Sequence, residues 1–338
     1  MKNNVKAGHK NKQSYANTRT TGKEQYYTNP QVVDICMEEV KKHIDLSGKT
    51  ILEPCGGTGE FIEGFIRAGI PTNVIISCDI EPKHWLVEKA NYLEKDMSAY
   101  KNLVAITNPP FGRMSSLAKK FFKHATSHCE YICYLIPKSW RKWSTMNSLD
   151  ENYHLVTDIE MPKNCFYLPN QQETKKGVLN TIFQIWQRKA TPRVKIEIPD
   201  NGLVTKGIPV QKKVKVYQNL KEQLFRKNEK TGEFVAVEME NLRNLTLQSR
   251  PSHVTGVNFE MIVFGHSCGK TKRLDPKEKY DAKTTTMYFN IQREDVKSAL
   301  QSINFSHHFN NVSYVQALSL QEINYELNKH FKLKNFDF

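Results

Sequence analysis

The chain has 338 residues and a formal net charge of +14, from 49 Lys and Arg against 35 Asp and Glu. That length allows a full α/β core plus a second, smaller domain, and the charge points to a polyanionic partner, nucleic acid ahead of an anionic membrane surface. No run of eighteen apolar residues occurs and the start, Met1-Lys2-Asn3-Asn4-Val5-Lys6, lacks a signal peptide's apolar stretch, so a soluble, intracellular, cytoplasmic protein is expected.

Residues 1–23 carry Lys2, Lys6, Lys10, Lys12, Arg19 and Lys23, with no acid before Glu24. They read as a basic flexible arm, either a solvated tail or a segment that meets phosphate. From Thr28 to Ile44, residues Val33, Cys36, Met37, Val40 and Ile44 share a helical face, Pro30 suits the first turn and Gly48 follows the end. The strand Thr50-Ile51-Leu52 comes next, then the glycine-bearing loop Glu53 to Glu60, then a helix carrying Phe61, Ile62, Phe65 and Ile66. Val74 to Cys78 reads as a second strand ending at Asp79, and Pro82 is expected to open another helix. Leu103-Val104-Ala105-Ile106 is a buried strand that stops at Asn108-Pro109-Pro110-Phe111-Gly112. A helix around Leu117 to Ala125 follows, then a strand from Tyr131 to Ile136 closed by Pro137, then a final pair at Leu155 to Met161 and Val178 to Trp186. Strands alternating with helices predict a Rossmann-like α/β fold, a doubly wound and mostly parallel sheet over residues 24–189.

Residues 190–338 have a different texture. Val194, Ile196 and Ile198 alternate, as do Val214 and Val216, and residues 259–264 and 287–291 read as further strands. Val296, Ala299, Leu300 and Ile303 share a helical face, and Ser319-Leu320-Gln321-Glu322 is a capping box with Leu318 and Ile323 as its staple. A smaller α+β domain is expected. Gly265-His266-Ser267-Cys268-Gly269 reads as a turn, since one His beside one Cys lacks a third catalytic partner. The seven cysteines are odd in number and form no Cys-x-x-Cys pair, which argues against a disulfide framework and a zinc site; no metal is expected.

The chemistry concentrates at two strand ends. Pro109 and Pro110 have no N–H for a neighbouring strand, so carbonyls there can face a pocket together with the Asn108 amide and the Phe111 ring. That set suits a flat, amino-bearing ring. In the glycine loop, Glu53 and Glu60 disfavour a phosphate and favour a cation, while Asp79 is placed to accept from ribose hydroxyls. S-adenosylmethionine has a sulfonium, an ammonium and no phosphate; the competing reading is a plain tight turn.

At this point a resemblance is plain. Leu52-Glu53-Pro54-Cys55-Gly56-Gly57-Thr58-Gly59-Glu60-Phe61 resembles motif I of class I methyltransferases, Asn108-Pro109-Pro110-Phe111 resembles motif IV of the N6-adenine enzymes, and Tyr27-Thr28-Asn29-Pro30-Gln31-Val32-Val33-Asp34 resembles motif X. The order is similar to that of gamma-type DNA adenine methyltransferases, including compact phage or viral ones, whose target-recognition domain is C-terminal. The resemblance covers about residues 24–189. It implies S-adenosylmethionine as cofactor, with Thr28 at its carboxylate, Glu53 near its amino group, Gly57 and Gly59 beneath it and Phe61 beside it. Asp79 would hold the ribose, Ile80 pack on the adenine ring and Asp96 read its 6-amino group; Tyr27, Pro54, Met97 and Asn108 complete the cofactor contacts. It further implies methyl transfer to N6 of adenine in double-stranded DNA, with Asn108, Pro109, Pro110 and Phe111 catalytic and the base flipped out of the duplex. Phe166 or Tyr167 would stack on the far side of that base, and Lys138, in Ile136-Pro137-Lys138-Ser139-Trp140-Arg141-Lys142, would meet phosphate. No obligate protein partner is inferred. An RNA adenine methyltransferase and a non-catalytic nucleic-acid-binding subunit are the alternatives; protein glutamine methylation fits less well, because those enzymes usually end the motif with tyrosine. In the second domain, Lys212-Lys213 with Lys215, and Lys270-Thr271-Lys272-Arg273, are candidate backbone-tracking loops.

Overall fold

The computed structural model describes residues 27–112, 115–163, 165–167, 180–200, 202–219, 225–227, 234–236, 243–308 and 316–333. The basic arm 1–23, and Asn164 and Val178 of the expected elements, lie outside these residues, and for 214–248 only the backbone is considered. The chain divides between Glu197 and Ile198 into two compact units.

In the first unit a short strand β1 (Tyr27–Thr28) precedes helix α1 (Pro30–His43), which has Pro at its first position and Lys41, Lys42 and His43 in its last turn, against the negative end of the helix dipole. Strand β2 (Thr50–Glu53) runs into α2 (Glu60–Arg67), whose acids Glu60 and Glu63 lie in the first turn and whose Arg67 lies in the last. Then come β3 (Ile75–Asp79), β4 (Glu88–Lys89), β5 (Leu103–Thr107), α3 (Ser116–Ala125), β6 (Cys129–Pro137), a one-turn helix α4 (Trp143–Met146), β7 (Tyr153–Glu160), β8 (Phe166–Tyr167) and β9 (Thr181–Arg188). Seven strands form one sheet in the order β4-β3-β2-β5-β6-β9-β7. The pairings from β4 to β6 are parallel, and β9 is antiparallel to both β6 and β7.

The period-2 alternation of the strands divides their side chains between two cores. Ile51, Val104, Ile106, Cys133, Leu135, Phe183 and Ile185 pack with Val33, Cys36 and Val40 of α1 and Phe61 and Phe65 of α2. Leu52, Leu103, Ala105, Ile132, Tyr134, Ile136 and Trp186 pack with Ala118, Phe121 and Phe122 of α3. Both faces are therefore covered, as a sheet of continuous apolar strands requires. The unit has the expected Rossmann-like fold, a doubly wound and mostly parallel sheet.

One expected helix does not form. After Asp79 the chain runs through turns into β4 and a single 3-10 turn at Tyr92–Glu94. Trp85, Leu86 and Val87 are consecutive rather than helically spaced, and Trp85 is 77% exposed while Val87 is buried. Glu81 N–H donates to Asp79 Oδ1 (2.7 Å) and Lys83 N–H to the Gly57 carbonyl (2.9 Å), which commits this backbone to the glycine loop. The expected strand through Val194, Ile196 and Ile198 is likewise absent; residues 192–200 have no regular secondary structure.

The boundary also falls later than residue 189, because residues 190–197 are tied to the first unit. The Arg193 guanidinium donates to the carbonyls of Tyr153 (3.1 Å), Leu149 (3.2 Å) and Met146 and lies 5.9 Å from the Trp186 ring centre. The Asn147 amide bonds both the N–H and the carbonyl of Ile196.

The second unit is α+β. Strands β10 (Thr205–Lys206), β11 (Val210–Asn219), β12 (Phe225–Lys227), β13 (Phe234–Ala236), β14 (Arg243–Val254), β15 (Phe259–Ile262), β16 (Thr271–Arg273), β17 (Tyr280–Asp281) and β18 (Thr286–Asn290) precede helices α5 (Glu294–Ser302) and α6 (Leu320–His330). An antiparallel sheet of order β10-β18-β15-β16 lays Phe259, Met261 and Phe289 against Val296 and Leu300 of α5 and Ile323 and Leu327 of α6. β11 and β14 form a long antiparallel ribbon that β17 extends. The capping box forms as expected, with Ser319 Oγ accepting from Glu322 N–H and the Glu322 carboxylate accepting from Ser319 N–H. Residues 265–269 form a turn. All seven cysteines are free thiols and six are buried, so they serve as small apolar core residues. Among the described residues no helix is long and apolar enough to cross a membrane.

Replacing Arg193 by Ala strips the donor from three carbonyls and uncovers Trp186. The variant is expected to lose about 2 kcal/mol of stability in urea unfolding followed by tryptophan fluorescence; a midpoint unchanged from the parent would refute the anchoring role.

Candidate active site

A cavity of about 500 Å³ opens at the carboxyl ends of β2, β3 and β5. The chain leaves β2 towards β3 on one side and returns to β5 on the other, so this is the crevice where a doubly wound sheet presents its strand ends. Its size is that of a small-molecule site.

Glu53 ends β2 and is 1% exposed. Its Oε1 accepts from the Thr107 hydroxyl (2.5 Å) and the Cys55 N–H (3.2 Å), and among the described residues its Oε2 has no hydrogen-bond partner. Burial raises its pKa to about 8, against the lowering effect of those bonds, with the nearby Asp79 charge adding to the rise. Glu53 is therefore mostly protonated at neutral pH, and a cation placed beside it would favour the carboxylate. Asp79 ends β3 with a fixed carboxylate: Oδ2 accepts from Gly57 N–H (3.0 Å) and Oδ1 from Glu81 N–H.

The glycine loop follows the cavity wall closely. Gly57 has φ +45°, and an added Cβ would lie 3.4 Å from the Tyr27 ring. Gly59 is an expected cofactor contact that belongs elsewhere: at φ +89° it caps α2, and a Cβ there would lie 2.4 Å from the His84 ring, so its smallness serves packing against His84. Pro54, Phe61 and Ile80 line the cavity, and Ile80 is 56% exposed. Tyr27 and Thr28 line it as well, held by the pairing of β1 with β8, Tyr27 opposite Tyr167 and Thr28 opposite Phe166. The Tyr27 hydroxyl accepts from Lys83 Nζ (2.7 Å).

Asn108, Pro109, Pro110 and Phe111 leave β5 along the same cavity. Asn108 Oδ1 is shielded from bulk water, and the Asn108 carbonyl accepts from the Cys55 thiol (3.2 Å), whose sulfur also lies 2.9 Å from Thr107 Oγ1. The Phe111 carbonyl accepts from Leu117 and Ala118 N–H, so the segment ends by capping α3. Glu53, Thr107, Cys55 and Asn108 thus form one network across the β2–β5 junction. Sequence reasoning assigned Thr107 and Cys55 no role; the available signal was a lone hydroxyl closing the apolar run 103–106.

Several expected residues lie elsewhere. Phe166 is 5% exposed and outside the cavity, meeting Phe111 edge to face at 6.0 Å within the core. It supports Phe111 from within the core. The Tyr167 hydroxyl donates to the Glu60 carboxylate, and its ring lies 5.6 Å from that of Tyr27. Lys138 is paired to Glu160 at 2.5 Å, alongside Arg141. Asp96 is exposed, with its carboxylate accepting from Ser98 N–H and Oγ, bonds that lower its pKa, and Met97 is buried in the core. The cavity wall after β4 is instead Ala90, Asn91, Tyr92 and Leu93, with Asn91 Oδ1 accepting from Leu93 N–H to cap the 3-10 turn.

A scan against models of protein families finds no match, and a search of curated proteins finds none. Among solved structures the chain is similar to a protein provisionally described as a modification subunit of a type I restriction enzyme from Vibrio vulnificus YJ016, at 17% identity and TM-score 0.38 over 52% of this chain and 47% of that one. It is similar to the M protein of the type I restriction enzyme EcoKI at 15% identity and TM-score 0.37, covering 51% and 46% of the two chains. It is also similar to TrmN from Thermus thermophilus, at 11% identity and TM-score 0.35 over 47% and 49%. The chain spans under half the length of each of these structures. Scores of this size leave the fold to be read from the strand order itself.

Proposed function

We propose that the first unit transfers a methyl group from S-adenosylmethionine to N6 of adenine in DNA, with the second unit holding the target. The observation that carries this reading is that Asn108-Pro109-Pro110-Phe111 shares one cavity of about 500 Å³ with Glu53, Asp79 and Thr28. The donor set fits the cofactor: a buried carboxyl with one oxygen still to be satisfied suits an ammonium, Asp79 suits ribose hydroxyls, and the exposed Ile80 offers an apolar face to an adenine ring. Thr28 and Glu53 would hold the amino-acid end. S-adenosylmethionine, when bound, supplies an electrophilic methyl group.

The chain's own task is to make a poor nucleophile attack. The N6 lone pair of adenine is delocalised into its ring. Two acceptors, Asn108 Oδ1 and the Pro109 carbonyl, take the two N–H bonds, pyramidalise the amino group and localise the lone pair. Phe111, held by Phe166, fixes the ring plane. In duplex DNA the adenine must leave the stack to reach this cavity.

The reading is tested with Asn108→Ala. Cofactor affinity should stay within a few-fold by calorimetry, while single-turnover transfer to adenine-containing duplex DNA falls by about 10²–10³-fold. Activity within a few-fold of the parent would exclude the assigned role, and parent activity confined to structured RNA would move the target from DNA to RNA.

Glu53 makes cofactor binding pH-dependent. In the free protein its pKa is about 8, and an ammonium beside it favours the ionised form. Binding at pH 7 should therefore release close to one proton, and affinity should climb from about pH 6 and level off above about pH 8. Calorimetry in buffers of different ionisation enthalpy reads the proton directly; Glu53→Gln should lose the buffer dependence, and a parent protein without it would contradict the placement.

On the β11–β14 ribbon, Lys212 lies directly opposite Arg250, beside Lys213, and all three are exposed. Like charges facing each other across strands are unfavourable alone and suit an anionic partner. Changing all three to Gln should lower the slope of log affinity against log salt for DNA by up to about three. An unaltered slope assigns them to solvent.

A further inference from the structure

The second unit contains a side-chain cluster that methyl transfer does not use. His307 and His308 lie in the 3-10 turn Ser306–His308, and Glu326 lies on α6. The Nε2 atoms of both rings approach the same oxygen, Glu326 Oε1, at 2.9 Å for His307 and 2.7 Å for His308. The ring centres are 4.0 Å apart, and the three donor atoms all lie within 4.8 Å of one another. Glu326 and His308 are both 7% exposed, while the His307 side chain is 54% exposed.

We propose that His307, His308 and Glu326 form a binding site for a divalent cation of the zinc class. Two neutral imidazoles and one carboxylate are borderline donors, which suit zinc and not the all-oxygen preference of magnesium or calcium. Tetrahedral coordination with bonds of about 2.0–2.1 Å sets its donor atoms roughly 3.3 Å apart. The two N–O separations here are shorter and the N–N separation is bounded at 4.8 Å, so small side-chain rotations admit the ion. A ring that donates Nε2–H to Glu326 Oε1 must carry its proton on Nδ1 instead when the ion binds, so that the Nε2 lone pair and the carboxylate oxygen both turn to the metal. Two of its ligands are buried and fixed, and the exposed His307 side leaves a fourth position for water. The bound ion clips the turn after α5 to α6 across 18 residues of chain, between two helices already seated on one core. Its role is that of a brace for the second unit, independent of the methyl-transfer site.

The full-length protein, stripped with a chelator, is titrated with zinc chloride by calorimetry and by thermal unfolding. One saturable site per chain and a raised unfolding midpoint are expected. His307→Ala alters an exposed residue, so the variant should fold as the parent does; its zinc affinity should fall about tenfold or more and the rise in midpoint should vanish. Cobalt substitution distinguishes this site from the thiols: the parent should show a tetrahedral visible spectrum without a thiolate charge-transfer band. No saturable binding by the parent, unchanged affinity in His307→Ala, or a thiolate band would each overturn the assignment.

Discussion

The site depends on one hydrogen bond across the β2–β5 junction. Parallel pairing sets Leu52 opposite Ala105, which brings Glu53 and Thr107, at the carboxyl ends of the two strands, within 2.5 Å of each other. A carboxyl buried this completely is costly as an anion, and the hydroxyl donor together with protonation makes its burial tolerable. The next residue after Thr107 is Asn108, whose carbonyl is tied back to the glycine loop by the Cys55 thiol. The proposed cofactor end and the proposed target end of the cavity are thus positioned by the same few atoms. A shift in the β2–β5 register would misplace both together.

Much of the fold was legible in the sequence because its strands are buried on both faces. Apolar runs at 103–106 and 131–136 separated by amphipathic helices admit few arrangements other than a doubly wound sheet. The legible features of the site were those at strand ends, where topology brings residues together: Glu53 and Asp79 close β2 and β3, and Asn108 follows β5. What failed depended on the path of a connection. The chain after Asp79 bonds back to Gly57 in place of forming a helix, and that choice sets Asn91 on the cavity wall and leaves Asp96 bonded to Ser98 in solvent.

Aromatic residues were the hardest to read, since a ring that supports and a ring that stacks look alike in sequence. Phe166 pairs with β1 through its backbone and with Phe111 through its ring, so it acts on the cavity from behind. Similarly, nothing in the local spacing of His307-His308 announces Glu326, because the turn that presents the histidines and the helix that presents the acid are separate elements.

The net charge of +14 also takes a different meaning once ion pairs are known. In the first unit many cations are matched locally: Arg67 with Asp34, Lys95 with Glu88, Lys138 with Glu160 and Arg141 with Asp158. The exposed pair Arg67–Asp34 contributes little stability, yet each of these pairs cancels a charge that could otherwise attract phosphate. In the second unit Arg273 is matched to Glu294, but Lys206, Lys212, Lys213, Arg250, Lys270 and Lys272 are exposed, and three of them crowd one stretch of the β11–β14 ribbon. A polyanion would relieve that crowding, and counterion release would then supply binding energy without reading any base.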